Sequence, residues 1–429
     1  MYERQTSDGQ IQASYTTQGL LAKELKRQVP QIQYASGFES NHLFQSTFEA
    51  GDKINKLTGT YADTDFFQMF SFPLLQGTSC AALNTPGGFA VSRRVAEEFF
   101  GSPQTAIGKT IRYEAKKDLL ITAVFENLPA NSSLQVDFLR SWSAYGRDNP
   151  WLNSWANSSP FTFVQLRADA DPVQVEAKMK QFIHWYRPAS PASRVELALQ
   201  PYPERHLHST FKNGQIDGGR IEYVRLFSLM AVFSLLIACI NFMNLATARA
   251  TKRAKEVGVR KVIGAIRGSL MGQYLGEAML LTLLAVSLAL VLVALLLPTF
   301  NSLTGKLVSL PLGEPSFWMT LLGLWLATAF VAGSYPALFL SSLNPARVLK
   351  GSLRVGVGAS FLRKGLVVFQ FVLSIILIVG MIVIYRQVAY IQQKNLGYNR
   401  ENLVYIPIEG DLVKNFALFK AEATQLPGI

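Results

Sequence analysis

The stretch KRAKEVGVRKVIGAIRG, residues 252–268, is strongly basic and punctuated by three glycines. It lies between LFSLMAVFSLLIACINFMNLATA (226–248) and AMLLTLLAVSLALVLVALLLP (278–298), two runs without a single Asp, Glu, Lys or Arg. A bilayer core about 30 Å thick needs about 20 consecutive apolar residues in a helix. Four segments of the chain meet that requirement: 226–245, 278–298, 317–340 and 365–385. Buried helices of soluble proteins rarely run so long without charge, so the four are read as membrane spans.

The charge pattern agrees. The chain has 429 residues and a formal net charge of +12, with a mean hydropathy of +0.19. Residues 1–222 carry 22 of the 41 Lys and Arg and 22 of the 29 Asp and Glu, so they are neutral and the whole excess lies in the apolar half. There it is concentrated in two stretches. Residues 249–267 hold seven basic side chains against Glu256 alone, and 341–364 hold Arg347, Lys350, Arg354, Arg363 and Lys364 with no acid. Charge placed this way argues against nucleic acid as a partner. The two stretches follow the first and third spans and therefore share one side of the bilayer, which the positive-inside rule makes cytoplasmic. Residues 1–222 and the tail 386–429 are then expected outside. The fold class that follows is an α-helical membrane protein of four transmembrane helices with an extracytoplasmic mixed α/β domain.

Within the first basic stretch, Val259, Val262, Ile263, Ile266 and Leu270 fall on one helical stripe. Arg253, Arg260 and Arg267 recur every seven residues beside it, and Glu256 precedes Arg260 by four, the favourable order for a helical ion pair. Gly258 and Gly264 interrupt the pattern and are expected to bend it. Two readings of this amphipathic element stay open on pattern alone: a helix resting on anionic headgroups, or a docking surface for a cytoplasmic partner. In the spans, Asn241 and Asn244 share a helix face where an amide is expected to bond across to a neighbour, and Pro336 is expected to kink the third span. With no ionisable residue in any membrane core, an ion or proton relay has little to work with.

Residues 1–222 read as mixed α/β. DPVQVEAKMKQFIHWY (171–186) begins a helix with Asp171 as N-cap and Pro172 at the first position, and SRRVAEEFFG (92–101) is a short helix from Ser92 to a Gly101 stop. TIRYEAKKDLLITAVF, FTFVQLRA and RVELALQPY read as strands. Apparent chemical motifs fail. GKT at 108–110 lacks the upstream glycine of a phosphate loop, where Pro103 stands instead, and reads as a turn into a strand. His206 and His208 share one face of an extended segment but have no further ligands nearby, so no metal is expected. No nucleophile stands beside a His and an acid, and no cofactor motif is present. Cys80 and Cys239 lie in different halves and are not expected to pair.

AKEVGVRKVIGAIRGSLMGQYLGEAMLL resembles the signature of the FtsX/MacB-type permeases of ABC transporters. SYPALFLSSLNPARVLKG (334–351) is similar to the end of the last helix of that module. TDFFQMFSFPLLQG (64–77), FAVSRRVAEEFFG (89–101), AIGKTI (106–111) and ITAVFENLPANSSLQVDF (121–138) resemble the MacB-type periplasmic core domain. The resemblance implies a core domain over 1–222 and a transmembrane module over 223–364. It also implies the first helix of a second repeat at 365–385 and the start of a second outer domain at 386–429. It further implies a permease of the cell inner membrane that lacks its own ATPase. A partner ATPase would dock on the coupling element Arg253, Glu256, Gly258, Val259, Arg260, Lys261, Val262, Ile263, Gly264, Ile266 and Arg267, and motion would pass to the outer domains for export of an envelope substrate. A second permease half and an envelope or periplasmic partner are implied with it. The alternative is a membrane-anchored sensor or scaffold that does not transport. In the fused permeases of this type, two copies of helix, outer domain and three helices occur. The chain corresponds to the first copy without its opening helix, followed by the beginning of the second. This leads to the expectation that Met1 is an artefactual or secondary start and that the sequence is a fragment at both ends.

Overall fold

A computed structural model describes the chain apart from residues 40–42, 86, 188–192, 343–356, 396, 398–402, 407, 409–411, 413 and 427–429. The side chains of 193, 247, 249–255, 339–340, 342, 357–360 and 362–363 also lie outside the description. The chain forms two compact units, Met1–Glu222 with Val404–Ile429, and Tyr223–Leu403.

In the first unit, hydrophobic alternation makes strands that close on themselves. Strand Phe138–Ser141 pairs with Gly88–Ser92, which pairs with Lys117–Phe125, then Thr110–Tyr113, Phe44–Ala50 and Lys53–Ala62. Lys53–Ala62 pairs back, in parallel, with Phe138–Ser141, completing a six-stranded ring. Closure removes the unpaired edges that an open sheet would present. Every strand of the ring contributes to one apolar cluster, with Phe48, Phe89 and Phe138 in mutual ring contact. Helix Arg93–Phe100 adds Val95, Ala96 and Phe99 to that cluster. This helix begins where the sequence suggests: Ser92 Oγ accepts from Val95 N–H, and Gly101 ends it in the left-handed region.

The closing seam is tied by Asp137. Its N–H donates to Thr58 O at 2.7 Å, its carboxylate accepts from Thr58 N–H at 3.0 Å, and Arg94 Nη2 donates to the same carboxylate at 2.6 Å. Gly59 lies opposite Phe138 in this seam, and a Cβ there would sit 2.5 Å from Phe138 Cγ and from its carbonyl oxygen. Only glycine lets the two strands approach so closely.

Lys53–Ala62 also leads outward through Phe38 opposite Ala62 to strands Ile32–Phe38, Ser158–Leu166 and Thr16–Gln18. Helix Leu21–Gln28 covers this part with Leu21, Ala22 and Leu25, and a separate sheet runs Ser193–Ala198, Tyr2–Ser7, Gln10–Ser14. The segment 171–186 departs from the single helix expected. Asp171 caps a helix Pro172–Met179, after which the chain tightens into a 3-10 turn at Phe182–Trp185. That break lets Val175, Met179, Phe182 and Ile183 all reach the same cluster as Val195 and Leu197.

The second unit is built on four long helices among the described residues: Arg220–Val262 (its first residues in the other unit), Arg267–Thr304, Pro315–Ser342 and Val357–Gln393. Each contains a segment long and apolar enough to cross a membrane. Small residues bring the helices together, as lipid-embedded packing favours. Ala278 of the second helix and Ala329, Ala332 and Ala337 of the third are buried, and Trp325 Nε1 donates to Met279 O at 3.1 Å. Cys239 and Met243 of the first helix meet Ala332 of the third. The expected amide bond across helices is not found: Asn241 is exposed, and Asn244 Oδ1 is buried without a hydrogen-bond partner among the described residues.

Replacing Gly59 with alanine forces the seam of the ring apart and is expected to cost about 1–3 kcal/mol, the usual range for overpacking. Thermal unfolding of the full chain, followed by near-ultraviolet circular dichroism, reads the loss; an unchanged midpoint would show that the seam tolerates a methyl group.

Candidate functional site

The basic stretch 252–268 is largely helical. The first long helix continues through it to Val262, and the second begins at Arg267, so the chain turns from one to the other over four residues. The turn is a Schellman motif. Ala265 N–H donates to Arg260 O at 2.9 Å and Gly264 N–H to Lys261 O at 3.2 Å, with Gly264 at φ +103°. Ile266 is extended (φ −73°, ψ 151°) and leads into the second helix. Gly258, expected to bend the element, lies buried inside the unbroken first helix. The bend belongs to Gly264 alone because only there does the chain need a positive φ to satisfy the last carbonyls of a helix.

Three cations of this elbow reach across to other helices. Arg260 Nη2 donates to Glu256 Oε1 at 2.6 Å, the helical pair read from the spacing, while its Nη1 donates to Gln273 Oε1 at 2.8 Å in the next helix. Arg260 thus bridges the turn. Lys261 Nζ donates to Ser341 O at 2.7 Å, and Arg267 Nε donates to Ser341 Oγ at 3.4 Å. Ser341 belongs to the third long helix, so Lys261 and Arg267 both tie the elbow to that helix. Desolvation, and then the neighbouring Arg267 charge, push the Lys261 ammonium below the ordinary lysine value.

Val259, Val262, Ile263 and Ile266 are 46%, 65%, 80% and 72% exposed. Val257 and Leu270 are buried, so the single stripe ending at Leu270 is divided by the turn. The elbow is therefore an exposed aliphatic tip beside three cations that are each bonded across to another helix. Arg253 belongs to the same predicted set, and its side chain lies outside the described residues; so does most of the second basic stretch, 343–356. Gln273 and Ser341 were not legible as members of the site, since they stand 13 and 80 residues from their partners and carry no pattern.

Among the described residues, no cluster of three or more His, Cys, Asp or Glu side chains is placed to hold a metal ion. His206 lies instead beside the Arg220 guanidinium, with its Nδ1 3.2 Å from Nη1.

Residues 2–182 match the family model of the MacB-like periplasmic core domain, and residues 228–345 match that of the FtsX-like permease C-terminal region. With an α/β core domain followed by the FtsX-like helices, the chain belongs to the MacB/FtsX-type permeases of ABC transporters. Solved structures similar to part of it include a domain of a permease protein from Porphyromonas gingivalis, at 20% identity and TM-score 0.39, covering 46% of this chain and 85% of that one. The periplasmic region of MacB from Actinobacillus actinomycetemcomitans shows 12% identity and TM-score 0.31 over 45% of this chain and 87% of its own. The extracellular domain of the noncanonic ABC-type transporter YknZ from Gram-positive bacteria shows 12% identity and TM-score 0.31 over 46% and 100%. No curated protein matches the chain.

Gly264→Ala places a Cβ in a left-handed conformation and is expected to cost about 1–2 kcal/mol. Gly264→Asn, which tolerates that region, should retain most of the stability. Unfolding of the full chain in detergent compares the two, and equal losses would mean that positive φ is not what the glycine supplies.

Proposed function

We propose that the chain is the permease component that receives the stroke of a partner ATPase at the elbow 256–267 and passes it to its extracytoplasmic domain, moving an envelope substrate outward. The supporting observation is the division of labour at the elbow. Four exposed aliphatic side chains form a tip. Arg260, Lys261 and Arg267 tie its base to the second and third helices. A push on the tip is then a push on three long helices together. A tip of this kind suits the apolar groove of a protein partner, where such contacts carry most of the binding energy. Arg260, Lys261 and Arg267 are each bonded to a neighbouring helix, which commits part of their hydrogen-bonding capacity within the protein. In this reading the elbow faces the cytoplasm of the cell that bears the protein in its inner membrane, 1–222 lie outside, and a second permease half completes the transporter.

Topology is tested with the native cysteines. Cys80 is exposed in the first unit and Cys239 is buried. A membrane-impermeant maleimide applied to spheroplasts should label Cys80. In a Cys80→Ser background, Ile263→Cys should react only after permeabilisation. Labelling of that variant from outside would invert the orientation.

Docking is tested with a photo-crosslinking amino acid in place of Ile263. The expected adduct is an ATP-binding-cassette ATPase identified by mass spectrometry, and adducts with lipid alone would support the headgroup reading instead. Val262→Asp with Ile263→Asp should lower ATPase co-purification at least about tenfold, the loss for about 1.4 kcal/mol, while the first unit keeps its unfolding midpoint.

A further inference from the structure

The first unit contains a cavity of about 700 Å³, within the range of about 300–1,000 Å³ usual for ligand sites. Part of its lining is apolar and aromatic, formed by Phe38, Phe66, Phe70 and Phe163 with Leu134. These rings pack against one another, Phe38 stacked on Phe66 at 5.6 Å and Phe70 edge-on to Phe163 at 5.2 Å, so the wall is built rather than collapsed.

The lining also carries cations. The Arg205 guanidinium lies over the rings of Phe161 and Tyr15, at 4.3 and 4.6 Å from their centroids, and it lies near Phe163 as well. No carboxylate pairs with it among the described residues, and none of its N–H donors makes a hydrogen bond there. Burial pushes its pKa below the ordinary arginine value, as expected for a charge kept from water without an acidic partner. Arg220, whose neighbour is His206, lines the same cavity. Asn131, Ser132, Ser133 and Ser209 supply neutral polar groups, and no Asp or Glu among the described residues lines the cavity.

We propose that this cavity binds an anionic amphiphile, its carboxylate or phosphate head held by Arg205 and Arg220 and its apolar body lying against Phe38, Phe66, Phe70 and Phe163. Three features converge on that chemistry. Two guanidiniums without acidic partners select an anion, because they can form charge-assisted bonds to its oxygens. The aromatic wall requires an apolar body, since a small hydrated anion would leave it wet. The aromatic faces beneath Arg205 hold that guanidinium in place before any ligand arrives. Arg220 is also the first residue of the helix that carries the first membrane span. The cavity owes nothing to the elbow, so its occupancy and the ATPase reading stand or fall separately.

The test uses the full chain in nanodiscs of phosphatidylcholine with a diazirine-bearing dodecanoate, and with the matching dodecanol and dodecyltrimethylammonium probes. After illumination, the carboxylate probe should label peptides containing 131–134 and 202–209, with the alcohol and ammonium probes at least about tenfold weaker, as expected when charge-assisted hydrogen bonds are lost. Arg205→Gln combined with Arg220→Gln should reduce carboxylate labelling by a similar factor, while Arg205→Lys should keep more of it. Ser133→Trp, at the exposed side of the cavity, should block labelling without touching either arginine, and it serves if the double variant unfolds. Two competition arms identify the source. Displacement by phosphatidylglycerol built into the nanodisc points to a bilayer lipid, and displacement only by dissolved dodecanoate or dodecyl phosphate points to a soluble amphiphile. Equal labelling by all three probes, or labelling unchanged by Arg205→Gln with Arg220→Gln and by Ser133→Trp, would overturn the proposal.

Discussion

Lipid offers no partner for a backbone N–H or C=O, so each spanning segment must bond its own backbone and every change of direction must take place where the chain ends can be satisfied by other means. The elbow at 263–266 meets that constraint. The Gly264 turn closes the carbonyls of Arg260 and Lys261 at the end of the first helix. The Lys261 side chain then reaches a carbonyl of the third, that of Ser341. One short turn thus ends the first helix and ties it to the third, and Arg260 attaches it to the second through Gln273. The aliphatic side chains of Val259, Val262, Ile263 and Ile266 are left exposed around the turn.

The same economy appears in the first unit. A six-stranded ring uses up its own edges, and the seam depends on Asp137 and on the absence of a side chain at Gly59. What the ring leaves over is the flanking sheet of Ile32–Phe38, Ser158–Leu166 and Thr16–Gln18. From this part come Phe38, Phe161 and Phe163 of the aromatic cavity. The unit thus combines a closed, tightly packed ring with an arginine-bearing cavity beside it.

Much of this architecture was legible from residues alone because the signals are local. An apolar run of bilayer length reads as a span wherever it sits. Ser92 with Gly101 and Asp171 with Pro172 mark helix ends by chemistry that acts within a few residues. Glu256 and Arg260 pair because one helical turn separates them. The family follows from motifs of the same contiguous kind. Gly258 and Gly264, by contrast, look alike in sequence, and only the hydrogen bonds of the turn distinguish the helical one from the one that bends.

By itself, then, the sequence determined the four membrane segments, the alternation of charge around them, the helix caps and the family, all set by interactions between residues close along the chain. Tertiary structure alone decided that strand 138–141 closes a ring against 59–62 and that Lys261 and Arg267 face Ser341. It likewise decided that Tyr15, Phe38, Phe163, Arg205 and Arg220 surround one cavity. Those contacts join residues dozens to hundreds of positions apart, and no local periodicity records them. They exist because apolar burial and the pairing of stranded polar groups select one arrangement of the whole chain.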